Sequence, residues 1–188
     1  MQMEADWEFD VRDDAPVIDA QWAGLIDLRA QPSLAWLLPE AAELPSLAAA
    51  LVKLNGAGSP VWTSKCDFWP ALQPTDFDAD ELDAPSGTAA YAMSCYIDLM
   101  ARNAYAWSLP EEAEAACRAL CALLHQALLR SCRVDLVVRR AWLGDDQNHL
   151  GITAYITACG PAAETAKDVL ERALAAFAAA ICTGQTLQ

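Results

Sequence analysis

Two stretches, CRVDLVVRRA at residues 132–141 and LGITAYITA at residues 150–158, decide the fold. Apolar and polar residues alternate along both, the period of two that a β-strand imposes because successive side chains point to opposite faces. Cys132, Val134, Leu136 and Val138 share one face of the first stretch, and Leu150, Ile152, Ala154, Ile156 and Ala158 share one face of the second. Gly144-Asp145-Asp146-Gln147-Asn148 between them reads as a hairpin connection, so the two strands pair antiparallel.

Outward from the hairpin, the period changes to that of a helix. Upstream, Ser108-Leu109-Pro110-Glu111 has the pattern of a capping box, after which Ala113, Cys117, Leu120, Cys121, Leu124 and Leu128 recur at helical spacing. Downstream, Gly160-Pro161 opens a helix whose Val169, Leu170, Ala173, Leu174, Phe177 and Ile181 form one face. Further upstream, residues 60–69 and about 90–100 alternate as two more strands, separated by 20 residues rich in Pro and Asp. A loop that long inside a compact domain is usually functional or mobile. Residues 46–55 read as a helix with Pro45 at its start and Gly56 placed to cap its end. Before it the chain reads as irregular, apart from a short strand-like alternation of Trp7, Phe9 and Val11.

The expected fold is therefore α+β: a four-stranded, mainly antiparallel sheet with helices packed on one face, in the order α-β-β-α-β-β-α after an irregular N-terminal region. All 188 residues fit one domain, with residues 1–56 as that region and 57–188 as the sheet and helix core. In element order alone this acidic chain resembles the small dimeric chaperones of bacterial type III secretion.

The strand parity that sends apolar residues to the helices gathers Thr63, Lys65, Asp67, Ser94, Tyr96, Asp98, Arg133, Asp135, Arg139, Thr153, Tyr155 and Thr157 on the opposite face. One reading is a face simply open to water. The sharper reading is a binding face, partly roofed by the Trp-rich N-terminal region, with arginines to hold an anionic group and tyrosines as walls. Its candidate ligand- or partner-binding residues are Lys65, Asp67, Tyr96, Asp98, Arg133, Asp135, Arg139 and Tyr155. A third reading is a dimer interface across two such faces. Ser94-Cys95-Tyr96-Ile97-Asp98-Leu99 also echoes Ser131-Cys132-Arg133-Val134-Asp135-Leu136. A duplicated unit would set Asp98 and Asp135 on adjacent strands as a carboxylate pair.

Other constellations carry less. Cys117, Cys121 and His125 recur at i, i+4 and present two S and one N donor, but closed zinc sites need four ligands and both cysteines fall in the apolar stripe. Asp76 to Asp83 places oxygens at alternate positions as a calcium loop does, yet Glu81 stands where the turn glycine belongs and Gly87 where the bidentate glutamate belongs. His149 is expected in the mouth of the hairpin. No metal and no cofactor is expected, and the glycine-rich nucleotide signatures and the G-x-S-x-G elbow are absent from the sequence.

Charge narrows the partner. The net charge is −14, and residues 1–100 hold 17 acids against 4 bases while residues 101–188 hold 9 against 8. An acidic surface repels phosphate backbones, which argues against nucleic acid and for a protein partner or self-association. The N-terminus lacks the basic and apolar segments of a signal peptide, no stretch is long enough to span a bilayer, and seven cysteines without C-x-x-C spacing read as reduced thiols; a cytoplasmic protein is expected. The leading expectation is a non-enzymatic binding or adaptor protein. The competing one is a small-molecule-binding protein or enzyme with its site on the polar sheet face.

Overall fold

In the computed structural model, which describes residues 2–12, 17–19, 25–73, 75–103, 105–144 and 146–183, the chain forms one sheet with helices against one face. The hairpin is its centre. Strand β5 (Cys132–Leu143) and strand β6 (Asp146–Gly160) pair antiparallel over nearly their whole length, and strand β4 (Tyr91–Ala101) lies on the other side of β6, followed by strand β3 (Val61–Trp69) at one edge. The strands outrun the sequence reading, so the turn is tighter than expected and His149 pairs with Ala141 inside β6 instead of lying in the hairpin mouth. Asp145 lies outside the described residues.

The four-stranded antiparallel description has to be corrected. Strand β1 (Glu4–Phe9) runs parallel to β5 and forms the second edge, and the short strand β2 (Val17–Asp19) pairs parallel with the far end of β5. The sheet is thus mixed, in the order β1-β5-β6-β4-β3, with β2 continuing the β1 edge. The α+β class stands. Glu4-Ala5-Asp6-Trp7-Glu8-Phe9 alternates as well as any other strand, but parallel pairing needs a distant partner that a local reading does not name.

The region before β3 also has more regular structure than its prolines suggest. A 3-10 helix (Pro32–Leu37), helix α1 (Pro39–Glu43) and helix α2 (Pro45–Asn55) each begin on a proline, where a missing N–H costs nothing and φ is already helical. Gly56 does not close α2 through a left-handed turn, since its φ is −60°. Instead the Arg102 guanidinium donates to the carbonyls of Asn55 (3.0 Å), Gly56 (3.3 Å), Ser59 (3.1 Å) and Val61 (3.3 Å), satisfying the helix end from β4.

Helix α3 (Pro110–Leu124) and helix α4 (Ala163–Thr183) complete the helical layer. At the start of α3 the box closes through Glu112, whose Oε2 accepts from the N–H groups of Ser108 (3.0 Å) and Leu109 (3.1 Å), rather than through Glu111. The main core lies between this layer and one sheet face, where Leu47, Leu51, Leu120, Leu124, Leu170 and Phe177 meet Cys95, Ile97, Leu136, Ile152 and Ile156. Among the described residues no helix is long and apolar enough to cross a membrane.

Candidate functional site

The face turned away from the helices is a grid of cross-strand rows, because residues paired in register share a face. Reading from β3 to β1, one row is Trp69, Ser94, Thr157, Arg133 and Glu4, and the next is Asp67, Tyr96, Tyr155, Asp135 and Asp6. In the third row Asp98, Thr153, Val137 and Glu8 follow one another, and Ser64 and Lys65 together oppose Asp98 at a β-bulge.

That bulge corrects the parity expected for β3. Ahead of it Thr63 turns to the helix side, where Asn55 Nδ2 donates to Thr63 Oγ1 at 2.7 Å and Asn55 Oδ1 accepts from the Thr63 N–H at 3.0 Å. Trp62 turns to the grid. One extra residue in a strand inverts everything upstream of it.

Both ends of the grid are covered. At one end Val17 packs with Trp62, Met100 and Ala141, and the Arg29 guanidinium, held by Asp27 at 2.8 Å, stacks 4.4 Å above the Trp62 ring. Gly151 makes this cover fit, since a Cβ there would lie 3.0 Å from Val17 side-chain atoms and 3.1 Å from the Leu99 carbonyl. At the other end the long segment between β3 and β4 folds back, burying Leu82 against Ala92 and Cys159 with Leu72 and Phe77 around them. Asp83 pairs with Arg130 at 3.2 Å. The Pro- and Asp-rich segment is therefore a wall with its own apolar contacts. Between the two covers runs a trough perpendicular to the strands, about 14 Å wide over three rows and about 19 Å long over five strands at ordinary strand spacings.

Three rings line it from the β3 edge to its centre: Trp69 and Tyr96 have centroids 5.7 Å apart, and Tyr96 and Tyr155 6.0 Å apart. Beside them Lys65, Asp98, Arg139 and Thr153 complete an open recess of about 300 Å³. Its floor is not simply solvated, because Asp98 is 5% exposed and Thr153 2%. Thr153 Oγ1 donates to Asp98 Oδ1 at 2.6 Å, and among the described residues Oδ2 accepts no hydrogen bond. Burial raises the Asp98 pKa, against the hydrogen bond from Thr153 and the charges of Lys65 and Arg139. Burial likewise pushes the Tyr96 hydroxyl up to about 12, with the nearby Asp98 and Asp67 charges adding to it.

The arginines are already engaged. Arg139 Nη1 donates to Asp10 at 2.9 Å and Nη2 to the Tyr155 hydroxyl at 3.3 Å. Hydrogen bonds from Arg12 and then Arg139 hold the Asp10 carboxyl well below the usual range. Arg133 donates to Asp135 at 2.6 Å and lies 3.8 Å from Asp6, in a separate recess of about 180 Å³ against β1. So Lys65, Tyr96, Asp98, Arg139 and Tyr155 come together, Arg133 and Asp135 form a second cluster, and Asp67 sits in the tyrosine row with its Oδ1 accepting from the Phe68 N–H. Asp98 and Asp135 are not neighbours, because β6 runs between their strands. Sequence reasoning missed Glu4, Asp6 and Glu8, which β1 adds to this face, and Asp10 just beyond it, which meets Arg139; the alternation over residues 4–10 is the signal that could have found them.

The remaining candidates lie elsewhere. Cys117 and Cys121 are buried in the main core, with burial pushing their thiols up to about 12 and about 11, and His125 Nε2 lies 3.0 Å from the Ala5 carbonyl. Among the described residues no group of His, Cys, Asp and Glu is arranged to hold a metal ion. Compared with known proteins, the chain matches no family model, no curated protein and no solved structure, so the site is read from its own chemistry.

Proposed function

We propose that the chain is a non-enzymatic binding or adaptor protein that engages a protein partner along the trough on its polar sheet face. The observation that carries this reading is the shape of the face: an elongated depression walled along both sides, open at its two ends, and lined from the β3 edge to its centre by the Trp69, Tyr96 and Tyr155 rings. Aromatic side chains at the centre of a polar surface are the usual anchors of protein interfaces. Its length suits an extended segment of about six residues at the rise of a β-strand. The carboxylates of Glu4, Asp6 and Glu8 along the β1 edge would repel a second copy presenting the same face, which favours a different, basic partner over self-association.

The test is recovery of bound protein from cells that produce the chain, using the wild type and surface variants. Asp67→Lys with Asp135→Lys should lose a partner that Arg172→Glu, on the helix side, retains. Equal recovery by all three would remove the trough from the account. The open recess of about 300 Å³ beside Asp98 favours one second reading, a small-molecule site, because its volume reaches the lower end of ligand-pocket volumes. A metabolite that protects the wild type thermally, with no protein recovered, would select it.

A further inference from the structure

The recess at Asp98 has a chemistry more specific than an acidic surface. A carboxylate that is 5% exposed sits on its floor with one oxygen held by Thr153 and the other accepting no hydrogen bond among the described residues. Water or a ligand must satisfy that oxygen, since an unpaired buried charge is costly. The walls beside it are the faces and edges of three aromatic rings. An aromatic surface next to a carboxylate attracts a cation through the ring quadrupole and the charge together.

We propose that this recess receives a single lysine side chain of the partner, its ammonium against Asp98 Oδ2 and its methylene stem on the Tyr96 and Tyr155 rings. The proposal rests on the reading of the trough as a partner-binding face. Two cations border the recess, and neither is idle: Arg139 is turned to Asp10 and the Tyr155 hydroxyl, and Lys65 has a partner of its own. Around them the face is acidic, with Asp67 and Asp135 in the tyrosine row and Glu4, Asp6 and Glu8 along β1. One available carboxylate oxygen offers a point contact, which suits a compact ammonium better than the two-pronged guanidinium fork. Asp98 is also where burial works against the charge, and a bound ammonium would offset that.

The experiment is a titration of the ¹⁵N-labelled protein with a hexalysine peptide at about 0.15 M salt, where exposed charges are screened beyond about 8 Å. The expected result is saturable shifts centred on the amides of Tyr96, Asp98, Thr153 and Tyr155. Asp98→Asn, whose own spectrum reports its fold, should weaken binding about tenfold, and Tyr155→Leu should weaken it by a similar factor, whereas Asp135→Asn should change it about twofold. Shifts confined to the face but unaltered by Asp98→Asn would overturn the lysine recess and leave the binding face standing. Shifts spread over the acidic segment 76–83, with none in the trough, would overturn the recess and remove support from the face itself. Stronger shifts at Tyr96 and Tyr155 with hexaglutamate would overturn it in favour of Lys65 and Arg139 as the binding groups.

Discussion

Thr153 Oγ1 donates to Asp98 Oδ1 at 2.6 Å across the β4–β6 pair, on the floor of the trough. A single hydroxyl is a thin substitute for water around a charge that is almost wholly buried. Residues kept in such a position at a cost to stability are candidates for function. The trough therefore has a thermodynamic signature as well as a shape.

The first prediction concerns that cost. Burial raises the folded-state pKa of Asp98, so the folded chain holds the proton more tightly than the unfolded one. Stability then falls as pH rises through the unfolded carboxylate value of about 4, and stays lowered above the folded pKa. Asp98→Asn keeps an acceptor for Thr153 and removes the charge. In urea titrations the variant should be more stable than the wild type at pH 7, with the gap narrowing below pH 4. A less stable variant at pH 7 would show that the ionised form is well satisfied.

A second prediction concerns the join between α2 and β3. Asn55 Nδ2 donates to the Leu51 carbonyl at 2.9 Å and to Thr63 Oγ1 at 2.7 Å, while its Oδ1 accepts from the Thr63 N–H. Both residues are buried. Asn55→Ala leaves the Thr63 N–H without a partner and should cost about 1–3 kcal/mol in urea titration.

Much of this architecture is legible in the sequence, and the failures have physical causes. Strands β3 to β6 and helices α2 to α4 announce themselves through local period, and the candidates Lys65, Tyr96, Asp98, Arg139 and Tyr155 follow from parity alone. What local period does not carry is pairing. Strand β1 is legible as an alternation over residues 4–9, but its parallel partner β5 is more than 120 residues away, so local period does not put its carboxylates on the face. Parity alone sends Thr63 to the wrong face, because a bulge adds one residue without any marker as plain as a glycine. Asp98 and Asp135 look like a pair in sequence, yet the hairpin returns β6 between them.

A third prediction tests the cover over the trough. Gly151 leaves room for Val17, and a methyl group there would have to displace it or the Leu99 carbonyl. Gly151→Ala should cost about 1–3 kcal/mol by overpacking. Amide exchange should accelerate at residues 17–19 more than at Ala154 or Ile156 in the core of β6. Unchanged exchange at residues 17–19 would mean that Val17 is not held by this contact.

A fourth prediction separates the thiols from chemistry. Burial pushes Cys66 up to about 12, as it does Cys117, so little thiolate is present near neutral pH. Iodoacetamide at pH 8 should label both residues far more slowly in the folded protein than in urea. Equal rates would place them at a reactive surface.

The most direct test of the trough as a partner-binding face is site-specific photo-crosslinking in cells that produce the protein. A benzophenone amino acid replaces Asp67 or Asp135 on the face and, as a control, Arg172 on α4. If a partner lies in the trough, the two face positions crosslink to the same protein, at a lysine-containing segment, and the Arg172 position does not. Crosslinks of equal yield from Arg172, or none from either face position, would contradict it.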